Sequence, residues 1–150
     1  MGHRELSVHL TREHETGMPH FILEYSPNVE VHVTPEVMVE TVRRAAVETG
    51  LFPIGGIRVR AYRAEQYAMA DGDPTHAFVA MQLSLLQGRA PEARQKAGAH
   101  IFAALEAALA PAYAAGPLAL SFDMREIEVN FSFKSNTVHA ALAAKAGAVA

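Results

Sequence analysis

The feature that most restricts the fold of this chain is a repeated order of hydrophobic patterns: strand, helix, strand, then strand, helix, strand again. In the first set, alternating apolar residues over 21–25 precede a helical pattern from Pro35 and a second alternating run from Ile57. In the second set, an apolar run over 77–86 precedes a helical pattern from Pro91 and a fourth strand from Leu118. This order predicts an internal duplication of a βαβ unit.

Local signals set the bounds of the helices. Thr34-Pro35-Glu36 supplies an N-cap, a proline at the first helical position and an acidic first turn, and Gly50 ends this helix. Pro91-Glu92 opens the second helix, and Gly116-Pro117 ends it. After the fourth strand a further extended segment is predicted from the alternation of Ile127, Val129, Phe131 and Phe133, and a weakly amphipathic tail comes next over 138–149.

The two units predict one α+β domain. Right-handed crossovers make the strands of each unit parallel, and the units side by side form a four-stranded mixed sheet with both helices on one face. The nearly continuous apolar run over 77–86 predicts burial on both faces of its strand. Because no further element is left to cover the second face, we expect an oligomer whose sheets pack around a shared axis.

The amino-acid composition argues against several classes of function. Thirteen Lys and Arg against sixteen Asp and Glu give a net charge of −3, which argues against nucleic-acid binding. The absence of cysteine excludes thiolate zinc sites and a Cys nucleophile, and the eight histidines include no His-x-x-x-His pair, so no metal site is predicted. No apolar run approaches the roughly 20 residues that span a bilayer, and the N-terminus lacks the features of a secretory signal. These observations predict a cytoplasmic domain without a membrane partner.

Residues 1–17 mix charged residues with histidines and differ in composition from the rest of the chain, so we interpret them as an N-terminal extension or a misassigned start before a domain over 18–150. Met18-Pro19 stands at that border. Translation from Met18 and removal of the methionine would leave Pro19 as a free secondary amine. The reference pKa of an N-terminal amine is about 7.7–8.0, and burial near arginines lowers it toward the range of a useful general base. The alternative interpretation is a proline that only opens a strand.

Two arginines occupy positions that favour anion binding. Arg58 comes after a Gly-Gly loop at the start of a strand, and Arg89 precedes a helix N-terminus. Guanidinium groups bind carboxylates through two parallel hydrogen bonds, and a helix N-terminus adds partial positive charge. This pattern favours a small anionic substrate. Arg60 and Arg63 are interpreted as solvated surface charges.

Seven segments between Met18 and Ala140 resemble the 5-carboxymethyl-2-hydroxymuconate delta-isomerase family of the tautomerase superfamily. They are MPHFILEYS (18–26), TGLFPIGGIRVR (49–60), MADG (69–72), AFVAM (77–81), RxxExRQxAG (89–98), LALSF (118–122) and FKxNxVHA (133–140). The resemblance implies a tautomerase-like fold, a homotrimer, an N-terminal proline as general base and no cofactor. Carried onto this sequence, it implies Pro19 as the base and Arg58 and Arg89 as substrate-binding catalytic residues. Four further residues match family positions and are predicted to line the pocket: His20, Phe52, Phe133 and Lys134.

The resemblance implies ketonisation of a 2-hydroxymuconate-type dienol, a di- or tricarboxylate of aromatic acid catabolism such as homoprotocatechuate degradation. Pro19 would take the 2-hydroxyl proton and return a proton to C5, while Arg58 and Arg89 hold carboxylates. As numbered, Pro19 is internal, and the lone pair of an amide nitrogen is delocalised, so activity requires a start at Met18 or removal of a native extension. Two alternatives stay open: a non-catalytic trimeric ligand-binding or interaction protein, and a ferredoxin-like dimer that binds an aromatic metabolite.

Overall fold

The structure, a computed structural model, describes residues 18–149, so the predicted extension over 1–17 lies outside the described residues. Its strands are β1 (His20–Tyr25), β2 (Arg58–Arg63), β3 (Ala77–Leu86) and β4 (Leu118–Ile127). Its α-helices are α1 (Pro35–Glu48), α2 (Pro91–Ala108), α3 (Ala110–Ala115) and α4 (Val138–Val149). Short 3-10 turns cover Pro27–Val31, Ile54–Gly56 and Val129–Phe131.

The four strands form one mixed sheet in the order β2-β1-β3-β4. β1 is parallel to β2, β3 is parallel to β4, and the two units meet through the antiparallel pair β1 and β3. The duplicated βαβ prediction is therefore confirmed. The ferredoxin-like alternative is wrong, because that fold splits each βαβ unit, whereas here the two strands of each unit are neighbours.

Both long helices cover the same face of the sheet, as predicted. α1 contacts β2 and α2, and α2 contacts β4. The core lies between these layers, and its largest fully buried side chains include Phe21, Leu23, Met38, Met81, Leu83, Ile101 and Leu105. Side chains of a strand point alternately to the two faces, so His20, Arg58 and Ser84, which share one register row, lie on the opposite, open face.

Three local predictions differ from the structure. Burial alternates along β3, where Gln82 is exposed, so the prediction of burial on both faces is wrong: only one face meets the helices. The second helix ends at Ala108 and α3 begins at Ala110, since Pro111 has no N–H to continue the hydrogen-bond ladder. The alternation after Ile127 is not extended strand, because Val129–Phe131 forms a 3-10 turn.

The strand directions bring four chain segments to one end of the sheet. The starts of β1 and β2 meet the ends of β3 and β4 there, because His20 pairs with both Arg58 and Ser84, and Ser84 pairs with Arg125. The loop that contains Arg89 continues from the end of β3 at this same end. Residues separated by up to about a hundred positions in the chain are therefore neighbours, and the candidate site lies at this end.

Candidate active site

Pro19 is buried at the start of β1. Its carbonyl oxygen accepts a hydrogen bond from the backbone N–H of Arg58, at 3.2 Å, which ties the start of β1 to the start of β2. Alternation along the strand places the Pro19 ring on the same face as Phe21 and Leu23, toward the core. The proline therefore lies at the edge of an apolar environment rather than in open solvent.

Arg58 and His20 form a close pair on the open face. The Arg58 guanidinium donates to Nε2 of His20, with an Nη2–Nε2 distance of 2.5 Å. Burial lowers the pKa of His20, and the charges of Arg58, Arg60 and Lys134 lower it further. An unprotonated imidazole nitrogen is the acceptor that this hydrogen bond requires, so the lowered pKa and the geometry agree.

Arg89 is half-buried at the same end of the sheet. Its Nε donates to the carbonyl oxygen of Leu51 at 3.3 Å and its Nη1 to that of Leu86 at 3.1 Å. The guanidinium carbon lies 5.4 Å from the centre of the Phe52 ring, which in turn packs edge-on against Phe21 with ring centroids 5.8 Å apart. Burial lowers the pKa of Arg89, yet a guanidinium stays protonated at neutral pH. These contacts hold the charge in place and leave N–H groups for a ligand.

The arginines differ in their partners. Arg43 pairs with Glu40, Arg63 with Glu30, and Arg94 with Glu126. Within residues 18–149, neither Arg58 nor Arg89 forms an ion pair with a carboxylate. The two arginines predicted from sequence thus lie at one end of the sheet with no counter-ion in that range, an arrangement suited to an external carboxylate.

The other residues predicted to line the pocket differ in how close they lie to the site. Lys134 lies near enough to His20 for its charge to act on that imidazole. Phe52 is buried between Arg89 and Phe21. Phe133, by contrast, is 91% exposed, so a single copy of the chain does not bring its ring into the site.

Two residues that sequence reasoning did not select hold the loop before Arg58. Asn136 donates from Nδ2 to the carbonyl oxygen of Gly55 at 2.9 Å. The His139 ring packs so closely on Gly55 that a Cβ added there would collide with its Nδ1. Both residues belong to the motif over 133–140, but their contact with a loop some 80 positions away depends on the tertiary fold.

The described part of the chain contains no cluster of three or more residues that could hold a metal ion. Nor does any helix in that part combine the length and apolarity needed to cross a membrane.

Solved structures with low sequence identity share the fold of this chain. The fused 4-OT wild type symmetric trimer Q0 has a TM-score of 0.58 and 14% sequence identity over 77% of this chain and 91% of that chain. At that identity the likeness concerns the fold alone. The four-stranded sheet and its two covering helices therefore have the tautomerase-like fold that was predicted.

Closer relatives identify the family. The family model for 5-carboxymethyl-2-hydroxymuconate isomerase matches residues 19–142. The 5-carboxymethyl-2-hydroxymuconate Delta-isomerase of Escherichia coli is 37% identical over 123 residues, which are 82% of this chain and 98% of that protein. A crystal structure of a 5-carboxymethyl-2-hydroxymuconate isomerase from Deinococcus radiodurans R1 is 34% identical, with a TM-score of 0.76 over 86% of this chain and 97% of that one. The chain belongs to the 5-carboxymethyl-2-hydroxymuconate isomerase family and is an isomerase.

Proposed function

We propose that this isomerase ketonises 5-carboxymethyl-2-hydroxymuconate or a similar 2-hydroxymuconate-type dienol, with the free secondary amine of Pro19 as general base and without a cofactor. The observation that carries the proposal is the position of Pro19: buried at the start of β1, hydrogen-bonded through its carbonyl to Arg58, and at the first residue of the family match. Membership of an isomerase family favours this function over a non-catalytic binding protein.

The chemistry rests on three groups of the site. The Pro19 nitrogen takes the proton of the 2-hydroxyl group and returns a proton to C5 of the same substrate, so no oxidant or reductant is consumed. Arg58 lies on the open face and Arg89 is held against Phe52, so the two charges approach the end of the sheet from different sides. They hold carboxylates and stabilise the negative charge that develops on the oxo group. At least one arginine must bind more strongly as that charge develops, since uniform binding does not accelerate the step.

The chain start decides whether this base exists. In the 150-residue chain the Pro19 nitrogen is part of an amide and has no basic lone pair. In a chain that starts at Met18 and loses the methionine, the same nitrogen is an amine. Because Pro19 is buried, we expect the protonated form of this amine to be disfavoured and its pKa to lie below that of an ordinary N-terminal amine.

We also propose that the chain assembles as a homotrimer. β2 and β4 are edge strands, whose unpaired backbone groups can pair with another copy. Phe131 and Phe133, which come after β4, are 75% and 91% exposed. Unpaired edges beside exposed aromatic rings suit contact between copies of the chain, and the fused 4-OT protein with the same fold is a trimer. Sedimentation equilibrium at micromolar concentration should give three times the chain mass, and a stable monomer would contradict this assembly.

The experiment for the base compares two forms of the protein. The form that starts at Pro19, produced from Met18, should isomerise the dienol, monitored by its ultraviolet absorbance, and the 150-residue form should not. For the active form, kcat/KM should rise with an apparent pKa below the roughly 7.7–8.0 of an ordinary N-terminal amine. Equal activity from the 150-residue form, shown intact by mass after the assay, would mean that Pro19 is not the base, and His20→Gln would then be the first variant to test.

A further inference from the structure

The loop over 51–58 connects the two arginines of the candidate site. At its start, the carbonyl oxygen of Leu51 accepts a hydrogen bond from Nε of Arg89 at 3.3 Å. At its end, Arg58 is the first residue of β2. Because one arginine bonds to the loop and the other belongs to it, the conformation of the loop affects the distance between the two guanidinium groups.

The middle of this loop has few hydrogen bonds of its own. The N–H of Gly56 donates to the carbonyl oxygen of Pro53 at 3.0 Å, and that of Ile57 to the carbonyl oxygen of Ile54 at 3.2 Å. These bonds form a single 3-10 turn, and two of its three residues are glycines, which lose the most backbone freedom when they are fixed. A turn of this kind keeps one conformation only if other parts of the protein hold it.

The segment that leads into α4 supplies these contacts. Asn136 donates from Nδ2 to the carbonyl oxygen of Gly55 at 2.9 Å, and its Oδ1 accepts the N–H of Val138, the first residue of α4, at 2.8 Å. One residue further on, the ring of His139 fills the space where a side chain at position 55 would stand. One amide thus ties the loop to the start of the helix, and one ring packs against it.

The His139 ring acts on the loop through its shape. Its Nε2 is buried and has no hydrogen-bond partner among residues 18–149. A buried polar atom without a partner lowers stability, so hydrogen bonding through Nε2 does not explain an imidazole at this place. The atoms of the ring that face Gly55 are Nδ1, Cε1 and Cγ, one edge of a flat ring against a backbone without a side chain.

We propose that Asn136 and His139 are positioning residues of the isomerase, because they fix the loop over 51–58. The two arginines connected by this loop are then held in place while negative charge develops on the substrate. This inference rests on the proposed function, which gives the arginines that task. Fixed groups stabilise a transition state without reorganisation, and a displacement of about 1 Å can cost on the order of 100-fold in rate. A mobile loop can still follow the carboxylates of bound substrate, so loss of either contact should lower kcat more than it raises KM.

Hydrogen exchange of the full 150-residue chain, measured by mass spectrometry, tests whether the loop is held. Asn136→Ser keeps an oxygen for the first N–H of α4 but is too short to reach the loop, and His139→Ala removes the ring. In both variants, exchange of a peptide over 53–58 should rise roughly tenfold, while exchange over 79–85 in β3 stays unchanged. Lys145→Ala, at an exposed position of the same helix, is the matched control and should change neither.

Kinetics of the form that starts at Pro19, which contains every element of the described fold, test the effect on catalysis. Asn136→Ser and His139→Ala should each lower kcat for the dienol roughly tenfold and change KM less than about twofold. His139→Phe restores a flat ring without the nitrogens, so it should recover most of kcat and the slow exchange of the loop. Lys145→Ala should keep both wild-type constants.

Three results would overturn the proposal: unchanged loop exchange in Asn136→Ser and His139→Ala, faster loop exchange with wild-type kcat, or a loss of kcat in a variant whose loop exchanges as slowly as the wild type. The third result in His139→Phe would mean that an imidazole nitrogen itself takes part. If His139→Ala unfolds, exchange over 79–85 rises as well, and Asn136→Ser decides the outcome.

The two measurements keep this inference separate from the proposed function. If the form that starts at Pro19 does not turn over the dienol, the proposed function fails, and the role of the two residues in catalysis fails with it. Exchange of the 150-residue chain still decides whether they hold the loop. If that form is active and the variants keep its kcat, only the positioning role is wrong.

Discussion

The two βαβ units share one architecture and differ in chemistry. In the first unit, the open face at the start of the parallel pair carries His20 beside Arg58. In the second unit, the corresponding pair is Phe78 beside Ala119. Both pairs form ordinary parallel ladders, so the fold itself requires no charge at either place. The fold alone therefore does not account for Arg58, and the second unit contributes to the proposed site through Arg89, in the loop after β3.

The largest expected effect comes from giving the first unit the residue of the second. Arg58→Ala, which reproduces Ala119, should lower kcat/KM for the dienol by one to two decades, or about 1.5–3 kcal/mol of transition-state stabilisation. Arg89→Ala should have an effect of similar size. Steady-state kinetics of the form that starts at Pro19 measure both, with circular dichroism to check folding. Wild-type kinetics in either variant would show that the arginine removed is surface charge, and Arg63→Ala serves as the silent control.

A smaller effect is expected from two glycines, one in each unit. A Cβ at Gly55 would collide with the rigid ring of His139, whereas a Cβ at Gly98 of α2 would meet only the flexible end of Met124, at 2.7 Å from its Cε. Gly55→Ala should therefore destabilise the protein by about 1–3 kcal/mol. Gly98→Ala should change stability by less than about 1 kcal/mol, because better helix propensity offsets the contact. Urea unfolding measures both.

A second substitution tests the cause of that loss. If the His139 ring is the obstacle, adding His139→Ala to Gly55→Ala should recover most of the lost free energy of unfolding. A double variant as unstable as the sum of the two single variants would contradict this explanation.

The helix caps offer a third contrast. Thr34 caps α1 by accepting the Val37 N–H at 3.4 Å, whereas Ala90 gives α2 no side-chain cap. Thr34→Ala should cost about 0.5–1 kcal/mol, and Ala90→Thr should add up to a similar amount. Thermal unfolding measures the change in stability of each variant. We expect Tm to fall in Thr34→Ala and to rise in Ala90→Thr. A shift of Tm in the same direction in both variants would mean that the caps do not account for the difference between the helices.

The smallest expected effect is on the pH dependence of the unfolding free energy. The pKa of His20 is lowered in the folded protein, so its contribution to stability is complete above its ordinary value of about 6.5 and is lost as the pH falls through the lower folded value. His20→Phe, which reproduces Phe78 of the second unit, should weaken the fall in unfolding free energy between pH 7.5 and pH 5. Urea titrations at both pH values measure the unfolding free energy of the wild type and of the variant. An equal fall between pH 7.5 and pH 5 in both proteins would mean that His20 does not cause the pH dependence.

The sequence predicted much of this protein because its signals are local. Periodicity and Thr34-Pro35 placed the strands and α1, and the motifs between Met18 and Ala140 indicated the family. Local patterns do not predict burial or ion pairing, because these depend on residues that are distant in the sequence. The apolar run of β3 predicts burial on both faces, but helices cover only one. Arg60 and Arg63 follow the same local pattern, yet only Arg63 has carboxylate partners within the described range.

The sequence by itself determined the order of the elements, the bounds of α1 and the assignment of Pro19, Arg58 and Arg89 as the residues to test. Only the tertiary structure decided that Arg58 donates a hydrogen bond to His20, and that His139 and Asn136 hold the loop at Gly55. The physical reason is that caps and periodicity depend on residues only a few positions apart in the sequence, and these residues are close together whatever the tertiary fold. Contacts between segments some 80 or more positions apart exist only after the helices and the sheet have packed.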